Sequence, residues 1–406
     1  MTPSIIHTRC AIAGGGPAGM MLGYLLARAG VDVVVLEKHR DFLRDFRGDT
    51  IHPSTLEVIY ELGLLDEFLA LPHSKIREVG GQIGDEFVTL GDFTHLPTHC
   101  KFLMFMPQWD FLNFLAARGR RYPTFALHME TDAVDLLTDG SRVAGLRANT
   151  PDGPLEIRSR LVVGADGRHS IVRAKAGLEI EDLGAPMDVL WFRLSKRSDD
   201  QGRVLGRVSG GRIMVMLDRG DYWQCGFVIR KGGNDTVRAA GLDAFRRSIA
   251  ELAPFAADRV SEITDWDQVK LLTVAVDRLR TWYRDGLLCI GDAAHAMSPV
   301  GGVGINLAIQ DAVAAANILT EPLRADRLTT GDLERVQRRR MFPTRATQAL
   351  QVFVQTQVLG RVLGNTQLSL PWPVRLFNRW PVLRRLPARV IGLGFRPEHV
   401  ATPERR

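Results

Sequence analysis

Residues 10–37 constrain the fold of this chain more than any other stretch. An apolar segment at 10–13 leads into the glycine-rich sequence 14–19, then into a helical pattern and a second apolar segment at 31–37. This order predicts a strand, a tight turn, a helix and a second strand. A lone GxGxxG sequence is a weak signal, but here the flanking strands, the helix and an acid at the end of the second strand agree. We therefore predict a dinucleotide-binding unit.

Each glycine of this turn has a separate mechanical role in such a unit. Gly14 permits the sharp turn at the end of the first strand, Gly16 lets backbone N–H groups approach a pyrophosphate, and Gly19 lets the helix pack closely on the sheet. The phosphate charge then lies at the positive end of the helix. Glu37 ends the second strand, where a carboxylate can accept hydrogen bonds from both hydroxyls of an adenosine ribose. This carboxylate favours FAD or NAD.

The composition is that of an ordinary globular protein. The chain has 406 residues, of which 45% are hydrophobic and 24% are charged, with a net charge of +6 and a pI near 9.3. This length favours two domains. The basic balance favours anionic partners, such as the phosphates of NADPH or a membrane surface, and no nucleic-acid-binding motif accompanies it. We therefore expect no nucleic-acid partner.

The cysteines and the N-terminal sequence bear on metal binding and location. Cys10, Cys100, Cys225 and Cys289 are far apart and show no metal-ligand spacing, so we expect buried free thiols and no metal. The N-terminus shows no signal-peptide pattern, and the sequence has no apolar run long enough to span a bilayer. These features predict a cytoplasmic protein that does not span a membrane.

Two further apolar segments each run into a turn that carries an acid and glycines. The first ends at Asp166 and Gly167. The second, at 287–290, is followed by Asp292 and by several glycines that precede an alanine-rich helical pattern at 307–319. Glycines before a helix allow the backbone to lie flat against a ligand ring, and Asp292 can bind a ribityl or ribose hydroxyl.

Strand patterns dominate residues 182–276 and predict a second sheet, separate from the nucleotide-binding unit. A helix near 243–252 is expected to lie against this sheet. Trp191, Trp223 and Gln224 are candidates to line a substrate pocket on it, although aromatic residues in strands more often belong to a core.

Two shorter helices are predicted beside the nucleotide-binding unit. Ser54 and Glu57 have the spacing of a capping pair, so a helix is expected from about residue 53 to 62, with Gly63 ending it. A second helix is expected over residues 108–118. Gln108, at its start, can reach a cofactor hydroxyl or can simply be solvated.

The C-terminal region is predicted to be helical from 341 to about 363 and irregular beyond that point, where prolines recur. Arginines alternate with apolar residues at 372–380. One interpretation is a peripheral contact with a membrane surface. The other, somewhat favoured, is a helix packed on the body of the protein with its arginines extended toward water.

Three motifs now stand in the order, and at roughly the separations, seen in one family. They are the glycine motif at 14–19, Asp166 and Gly167 with Ser170 and Arg173, and the segment 291–306. Over residues 5 to about 320 the chain resembles the group A flavin-dependent aromatic monooxygenases, which have the p-hydroxybenzoate hydroxylase fold.

The resemblance implies an α/β fold, in which a Rossmann-like FAD-binding domain is interleaved with a β-sheet substrate domain and followed by a helical C-terminal region. We predict that the FAD-binding domain comprises residues 1–74, 101–181 and 277–340. The substrate sheet is predicted to comprise 75–100 and 182–276, and the C-terminal region 341–406.

The resemblance also implies FAD as cofactor, NAD(P)H as co-substrate and specific site residues. Asp166 is expected to serve both nucleotides, and the segment 299–306 to border the isoalloxazine ring. Arg47 is expected to contact FAD, although a solvated surface arginine is an equal alternative from the sequence itself. The expected catalytic residues are Pro299, Gly301 and Asn306. The expected cofactor-binding residues are Gly14, Gly16, Ala18, Gly19, Glu37, Lys38, Arg47, Gln108, Asp166, Gly167, Asp292, Gly304, Ile305 and Asn306.

The mechanism implied by the resemblance is hydroxylation with O2. NAD(P)H reduces FAD, O2 forms a flavin C4a-hydroperoxide, and its distal oxygen attacks an electron-rich ring of a lipophilic aromatic or quinone-like small molecule. A base or acceptor that removes a phenol or enol proton is expected, and His52, His73 and His99 are weak candidates. Arginines at 40, 44 and 47 favour NADPH over NADH. The oligomeric state is open.

Two other interpretations remain. An FAD-dependent reductase or dehydrogenase of an isoprenoid or polyketide would use the same fold. A non-catalytic binding protein of this architecture would have no need for all three cofactor motifs. The sequence lacks the WxWxIP motif of the related flavin halogenases, which argues against halogenation.

Overall fold

The computed structural model describes residues 3–43, 50–84, 86–200, 206–356 and 379–405. Its secondary structure begins as the sequence predicts, with a strand, a glycine turn, a helix and a strand. The first eleven strands are β1 (Ser4–Ala13), β2 (Val33–Leu36), β3 (Thr50–Ile51), β4 (Ser74–Ile76), β5 (Glu78–Ile83), β6 (Glu86–Asp92), β7 (Leu103–Phe105), β8 (Phe125–His128), β9 (Asp132–Asp139), β10 (Arg142–Thr150) and β11 (Gly153–Gly164).

The remaining strands and the α-helices follow in chain order. The strands are β12 (Ile180–Asp182), β13 (Met187–Ser195), β14 (Gly206–Ser209), β15 (Arg212–Asp218), β16 (Tyr222–Arg230), β17 (Lys270–Leu272), β18 (Asp277–Leu279), β19 (Tyr283–Arg284), β20 (Leu287–Cys289) and β21 (His295–Ala296). The helices are α1 (Pro17–Arg28), α2 (Pro53–Glu61), α3 (Leu65–Leu69), α4 (Gln108–Gly119), α5 (Ile171–Lys175), α6 (Asn234–Ala239), α7 (Leu242–Leu252), α8 (Gly304–Arg324), α9 (Thr330–Val354) and α10 (Arg385–Leu393).

The largest sheet has a parallel centre in the order β20-β11-β1-β2-β8, with β19 antiparallel at one edge. Strands β9 and β10 extend it antiparallel from β11. Helix α1 packs between α4 and α8 on this sheet. Because helices cover the sheet, all four residues of β2 are buried, as expected for a parallel strand.

The second sheet has seven strands in the order β17-β13-β16-β15-β14-β5-β6. It therefore combines strands from residues 78–92 with strands from residues 187–272. The alternation of side chains gives it two faces. One face packs Leu190, Phe192 and Met214 against α7 in a separate core. The opposite face, called here the inner face, contributes Met187 and Ile213 to a small cluster that includes Val300.

Two helical predictions need correction. The cap of α2 is His52 and not Ser54, because the helix begins at Pro53, and no side-chain hydrogen bond caps it. Ser54 is buried, and the Glu57 carboxylate instead accepts hydrogen bonds from the main chain and ring of His99. The predicted stop is confirmed, since Gly63 has a φ of +70° that favours glycine.

The C-terminal prediction was wrong at the start of its helix. Helix α9 begins at Thr330, where Thr329 and Asp332 cap each other, so it crosses the predicted boundary at residue 340. The predicted end near 363 and most of the stretch 372–380 lie outside the described residues. Residues 385–393 form α10 where irregular chain was predicted, because Pro387 falls in the first turn, which tolerates proline.

Residues 396–405, called here the C-terminal strap, run back over the first sheet's helices. The Arg405 N–H bonds the carbonyl of Arg28 in α1 at 2.8 Å. The Asn317 amide of α8 bonds the carbonyl of His399 at 2.8 Å. Glu398, buried in the strap, pairs with Arg340 of α9 at 3.2 Å. The strap thus ties together helices from distant parts of the sequence.

Within the described ranges, one helical stretch is long and apolar enough to cross a membrane by length and composition. It is Val300–Arg324, with a mean hydropathy of 1.3, and 72% of its most apolar window is buried inside the protein.

Candidate active site

The three sequence motifs meet at the carboxyl ends of β1, β11 and β20. A side chain on Gly14 would lie 2.3 Å from the carbonyl oxygen of Ala165, so the glycine turn touches the strand end that carries Asp166. A side chain on Gly291 would lie 3.1 Å from Ala18, in the first turn of α1. Ligands of open α/β sheets bind at this edge. Glycine is required at both contacts because the neighbouring segments approach so closely.

The start of α1 has the features of a phosphate site. A side chain at Gly16 would enter open space, whereas one at Gly19 would lie 2.0 Å from the carbonyl oxygen of Gly14. No side chain caps the helix, and its first turn carries no acid. The free N–H groups and the positive helix end therefore face a space that an anion can fill.

Glu37 follows β2 and is held by the main chain. One carboxylate oxygen accepts the N–H of Gly15 at 3.2 Å, and the other accepts the N–H of His39 at 3.1 Å. These bonds orient the carboxylate beside the glycine turn, which suits it to ribose hydroxyls. The neighbouring Lys38 is exposed.

Asp166 offers one buried acceptor. Its Oδ2 accepts the N–H of Val172 at 3.2 Å, and its Oδ1 is buried without a hydrogen-bond partner among the described residues. Burial raises the pKa of this carboxyl, while bonds from the Ser170 hydroxyl and the Val172 N–H work to lower it. A buried oxygen of this kind calls for a donor, and a hydroxyl of a bound nucleotide can supply it.

The Ser170 hydroxyl also caps α5 by accepting the N–H of Arg173 at 3.0 Å. The buried Arg173 guanidinium lies 3.6 Å from the carboxylate of Asp277. Gly167 has a φ of +82°, and a side chain there would meet nothing within 4 Å. The turn after β11 is therefore held in place at Ser170 and Arg173, whereas the structure leaves free space beside Gly167.

The segment 299–306 forms a tight turn that enters α8. Gly301 and Gly302 have φ values of +82° and +62°, which favour glycine. A side chain on Gly302 would also lie 3.0 Å from the hydroxyl of Thr50. At Gly304, by contrast, a side chain would meet nothing within 4 Å, and α8 begins without a side-chain cap or an acid in its first turn. The second helix start at the site is thus also open to a ligand.

Asn306 joins α8 to α2. Its Oδ1 accepts the His52 N–H at 2.8 Å and the Thr55 hydroxyl at 2.7 Å, and its Nδ2 donates to the carbonyl of Thr50 at 3.3 Å. Both the oxygen and the nitrogen of the Asn306 amide are thus bonded to protein groups. Its catalytic role, like those of Pro299 and Gly301, stays a prediction. Ile305 beside it is buried, and Asp292 is half-buried after β20.

A set of buried polar residues on α9, which sequence reasoning missed, holds the turn between β21 and α8. Gln348 donates to the carbonyls of Asp277 and Ala296 at 2.7 and 3.2 Å. Gln351 donates to the carbonyls of Ser298 and Val300, both at 2.9 Å, and accepts the Ser298 N–H at 3.1 Å. Pro299 lies between the two residues that Gln351 binds. These glutamines therefore fix the turn that carries Pro299.

A buried ionic network lies under the turn after β20. Asp311 accepts the N–H of Gly291 at 3.1 Å, pairs with His295 at 2.6 Å and pairs with Arg340 at 2.9 Å. Burial works to raise the pKa of Asp311, but His295 and Arg340 together hold that pKa below its usual value. Through Arg340 and Glu398 this network connects the Gly291 turn to the C-terminal strap.

The inner face of the second sheet forms an apolar wall beside this turn. Met187, Ile213 and Val228 cluster there, with Val208 and Val300 packed against them. The cluster joins the sheet to the turn that carries Pro299. The side chains of Met187, Ile213 and Val228 are buried, and apolar groups of this kind are also the ones that line ligand pockets.

The predicted pocket residues divide between the two faces. Trp191 lies on the inner face, where its ring covers Gly226 on β16, and Gln224 points to the same side. Trp223 does not line this face. It lies in the core against α7, and its Nε1 donates to Asp200 at 2.8 Å. Adjacent residues of a strand face opposite ways, so Trp223 and Gln224 cannot both line one pocket.

The half-buried Arg219 connects this wall to the sheet that contains β3 and β7. The Arg219 Nε donates to Gln224 at 3.1 Å, and its guanidinium lies 5.6 Å from the ring centre of Phe105. Burial lowers the pKa of Arg219 to about 10, which leaves it charged at neutral pH. Phe105 pairs with Thr50, the residue against Gly302. The inner face, β3 and the 299–306 turn are therefore neighbours.

Of the three histidine candidates, only His52 lies beside the 299–306 turn. Its ring is buried, its Nδ1 bonds the carbonyl of Ile391 in α10 at 2.6 Å, and burial lowers its pKa to about 4. Such a ring is a weak base. His99 stacks on Tyr60 and pairs with Glu57, and His73 bonds the nearby carbonyl of Leu71. Neither reaches the candidate site by these contacts.

The other predicted positions have mixed outcomes. Gln108 is the first residue of α4 and is half-buried. Arg44 and Arg47 lie outside the described residues, and Arg40 pairs with Asp41 at 3.4 Å. The four cysteines are free and buried, as predicted. In the part of the chain that the structure describes, no cluster of histidine, cysteine or acidic residues could hold a metal ion.

Comparison with known proteins identifies the family. The chain matches the FAD binding domain family over residues 7–349. It therefore belongs to this family of flavoproteins, and its relatives show that it is a member of the FAD-dependent aromatic monooxygenases.

Two relatives and one solved structure illustrate the match. A 6-methylpretetramide 4-monooxygenase from Streptomyces rimosus is 33% identical over 95% of this chain and 92% of that protein. A 12-dehydrotetracycline 5-monooxygenase/anhydrotetracycline 6-monooxygenase from the same species is 28% identical over 74% of this chain and 60% of that protein. The crystal structure of PqsL, a probable FAD-dependent monooxygenase from Pseudomonas aeruginosa, matches with a TM-score of 0.74 and 24% identity over 88% of this chain and 100% of that chain. This last likeness confirms the fold.

Proposed function

We propose that this protein is an FAD-dependent monooxygenase that uses NAD(P)H and O2 to hydroxylate a lipophilic aromatic or quinone-like molecule. The observation that carries the proposal is the position of Val300. It belongs to the turn that enters α8 beside the three nucleotide motifs, and it also packs on the inner face of the second sheet. A nucleotide site and an apolar wall therefore share one turn.

The residues around the turn fit FAD. The uncapped starts of α1 and α8, the open spaces at Gly16 and Gly304, and the buried Oδ1 of Asp166 would hold its phosphates and hydroxyls. Glu37 would hold the adenosine ribose. Bound FAD supplies the electron transfer and the oxygen activation. The protein's own residues position the ring, exclude water and orient the substrate.

The substrate class follows from the wall and from the relatives. Methionine, isoleucine and valine side chains offer contact area but few polar partners, which suits a flat polycyclic ring system. The relative at 33% identity is named for a 4-monooxygenation of 6-methylpretetramide. We infer that this chain acts on a hydroxylated aromatic polyketide of related shape.

We further infer that NADPH is the reductant and that the enzyme works in the cytoplasm. The basic residues near Glu37 support NADPH, although Arg44 and Arg47 lie outside the described residues. Four free, buried cysteines support a reducing compartment. Equal turnover with NADH and NADPH would contradict the choice of reductant.

The test is oxidation of NADPH by the FAD-loaded protein under ¹⁸O₂, with 6-methylpretetramide, anhydrotetracycline and simpler phenols and quinones offered in turn. We expect one compound to stimulate oxidation and to gain a single labelled oxygen, with little peroxide formed. Substrate reduction without label would instead support the FAD-dependent reductase. A purified protein that is colourless and takes up no FAD would support a binding protein without catalysis.

A further inference from the structure

Gln355, at the end of α9, carries a buried side-chain amide for which the described residues offer no hydrogen bond. The residue is fully buried, and neither its Nε2 nor its Oε1 has a partner among the described residues. A buried polar group without a partner costs about 1–3 kcal/mol, so folded proteins seldom keep one without a reason. A ligand that completes the hydrogen bonds is one such reason.

The course of α9 indicates where this amide lies. Successive turns of the helix contact successive parts of the site. Arg340 binds Asp311 under the Gly291 turn, Gln348 binds the carbonyl of Ala296, and Gln351 binds the carbonyl of Val300. From Gln348 to Gln351 the contacts of the helix thus move from Ala296 to Ser298 and Val300, along the turn that enters α8.

Gln355 follows Gln351 by one helical turn and on the same side. Its N–H bonds the carbonyl of Gln351, so the helix continues through this position. Four helical residues advance the side chain by about 6 Å along the axis. On this course the amide of Gln355 is expected beyond Val300, which itself packs on the apolar cluster of Met187, Ile213 and Val228.

We propose that the side-chain amide of Gln355 binds an oxygen substituent of the aromatic substrate. Its Nε2 donates to a phenolate, enolate or quinone oxygen, and its Oε1 accepts a hydrogen bond from a neighbouring hydroxyl. The inner face already carries Gln224 with Arg219 bonded to it, and a further amide at the edge of the apolar cluster would fix which ring edge faces the proposed flavin site. This inference rests on the proposed function.

The proposal predicts that replacing the Gln355 amide leaves the stability of the protein unchanged or higher but weakens the binding of an oxygenated ligand. Gln355→Leu removes a buried amide that has no hydrogen-bond partner in the part of the chain that the structure describes, so the melting temperature should be unchanged or higher. The same change removes the partner of a substrate oxygen, so binding of an oxygenated ligand should weaken. A glutamine with a structural role would lose stability on the same substitution.

The experiment measures binding of 2,6-dihydroxyanthraquinone and of unsubstituted anthraquinone to the FAD-loaded protein, through the change in flavin absorbance. We expect Gln355→Leu to lower the affinity for the dihydroxy compound about tenfold. The affinity for anthraquinone should stay within about twofold of the wild-type value. The affinity for FAD and the melting temperature are measured on the same samples. Thr356→Ala, at the adjacent exposed residue, is the control and should match the wild type in all readouts.

Several outcomes would overturn the proposal. One is an equal loss of affinity for both compounds, and another is a lower melting temperature without a change in selectivity. Gln355→Met is prepared alongside as a linear apolar replacement, and failure of both variants to fold would show that the amide serves the fold. If the wild type binds neither compound, this inference fails, whereas hydroxylation itself is judged by the ¹⁸O₂ experiment.

Discussion

Gln351 bonds both main-chain groups of Ser298, accepting its N–H at 3.1 Å and donating to its carbonyl at 2.9 Å. The same Nε2 also donates to the carbonyl of Val300. One buried side chain therefore fixes the backbone on both sides of Pro299. Because Val300 packs on the inner face of the second sheet, this clamp also holds the proposed flavin site against the proposed substrate wall.

Gln351→Leu should loosen the turn that carries Pro299. NADPH oxidation should then be uncoupled from hydroxylation of the substrate. Three backbone groups around Pro299 lose their partner, so substrate and flavin are held less accurately while the rest of the protein keeps its contacts. We expect peroxide per NADPH oxidised to rise several-fold and product yield to fall. Gln337→Leu is the matched control, since this glutamine of the same helix bonds Trp282 and Arg280 away from the turn. Equal uncoupling in both variants would contradict the prediction.

Two glycines of the first turn should respond differently to alanine. Gly16→Ala places its methyl group in open space, so the apoprotein should melt as the wild type does while FAD binds about tenfold more weakly. Gly19→Ala drives its methyl group into the carbonyl of Gly14 and should destabilise the apoprotein by about 1–3 kcal/mol. Apoprotein melting and FAD titration measure both. Unchanged FAD affinity in Gly16→Ala would count against a phosphate at this turn.

Because of His52, the free energy of unfolding should be lower in mild acid than at neutral pH. Burial lowers its pKa to about 4 from an ordinary value of 6.5. Between these values the unfolded chain binds a proton that the folded chain does not, so the free energy of unfolding falls as the pH falls. The full effect is about 3 kcal/mol. Urea unfolding at pH 7.5 and pH 5 measures it. His52→Gln should reduce the pH dependence, and an unchanged slope would refute the assignment.

Substitutions of Trp191 and Trp223 should have different effects, because the two side chains lie on opposite faces of the second sheet. Trp191→Phe removes area from the inner face, so we expect a higher KM for the aromatic substrate and little change in stability. Trp223→Phe removes the bond to Asp200 and contact with Phe255, so we expect a loss of about 2 kcal/mol in stability and an unchanged KM. Thermal melts and steady-state kinetics of the two variants provide the comparison, and a reversed pattern would exclude the pocket assigned to the inner face.

The parts of the fold that could be predicted are those encoded by local pattern. The strand, turn and helix at residues 10–28 were predicted because continuous apolar residues, required glycines and helical spacing occur together. The turns at Asp166 and Asp292 followed from the same logic. In each case one short segment carries its own physical reason.

The parts that were missed depend on distant partners. Gln348 and Gln351 are polar residues on a helix, and such residues are usually solvated, so nothing local indicates that they are buried against residues 296–300. The signal was available in the pattern, because Thr344, Thr347, Gln348 and Gln351 share one side of α9 while Phe342 and Phe353 are exposed. Trp223 occupies a core, which was the more frequent position expected for an aromatic residue in a strand, and strand alternation already separates it from Gln224.

The C-terminal strap has a consequence for how the protein is made. Glu398 supplies a carboxylate to Arg340, whose other partner, Asp311, holds the Gly291 turn. The ribosome makes residues 396–405 after the Gly291 turn that they support, so Arg340 under this turn lacks one of its anions until the strap has been made. A chain cut before residue 398 would carry this buried arginine without its Glu398 partner, and its retention of flavin would report how far the proposed cofactor site depends on the strap.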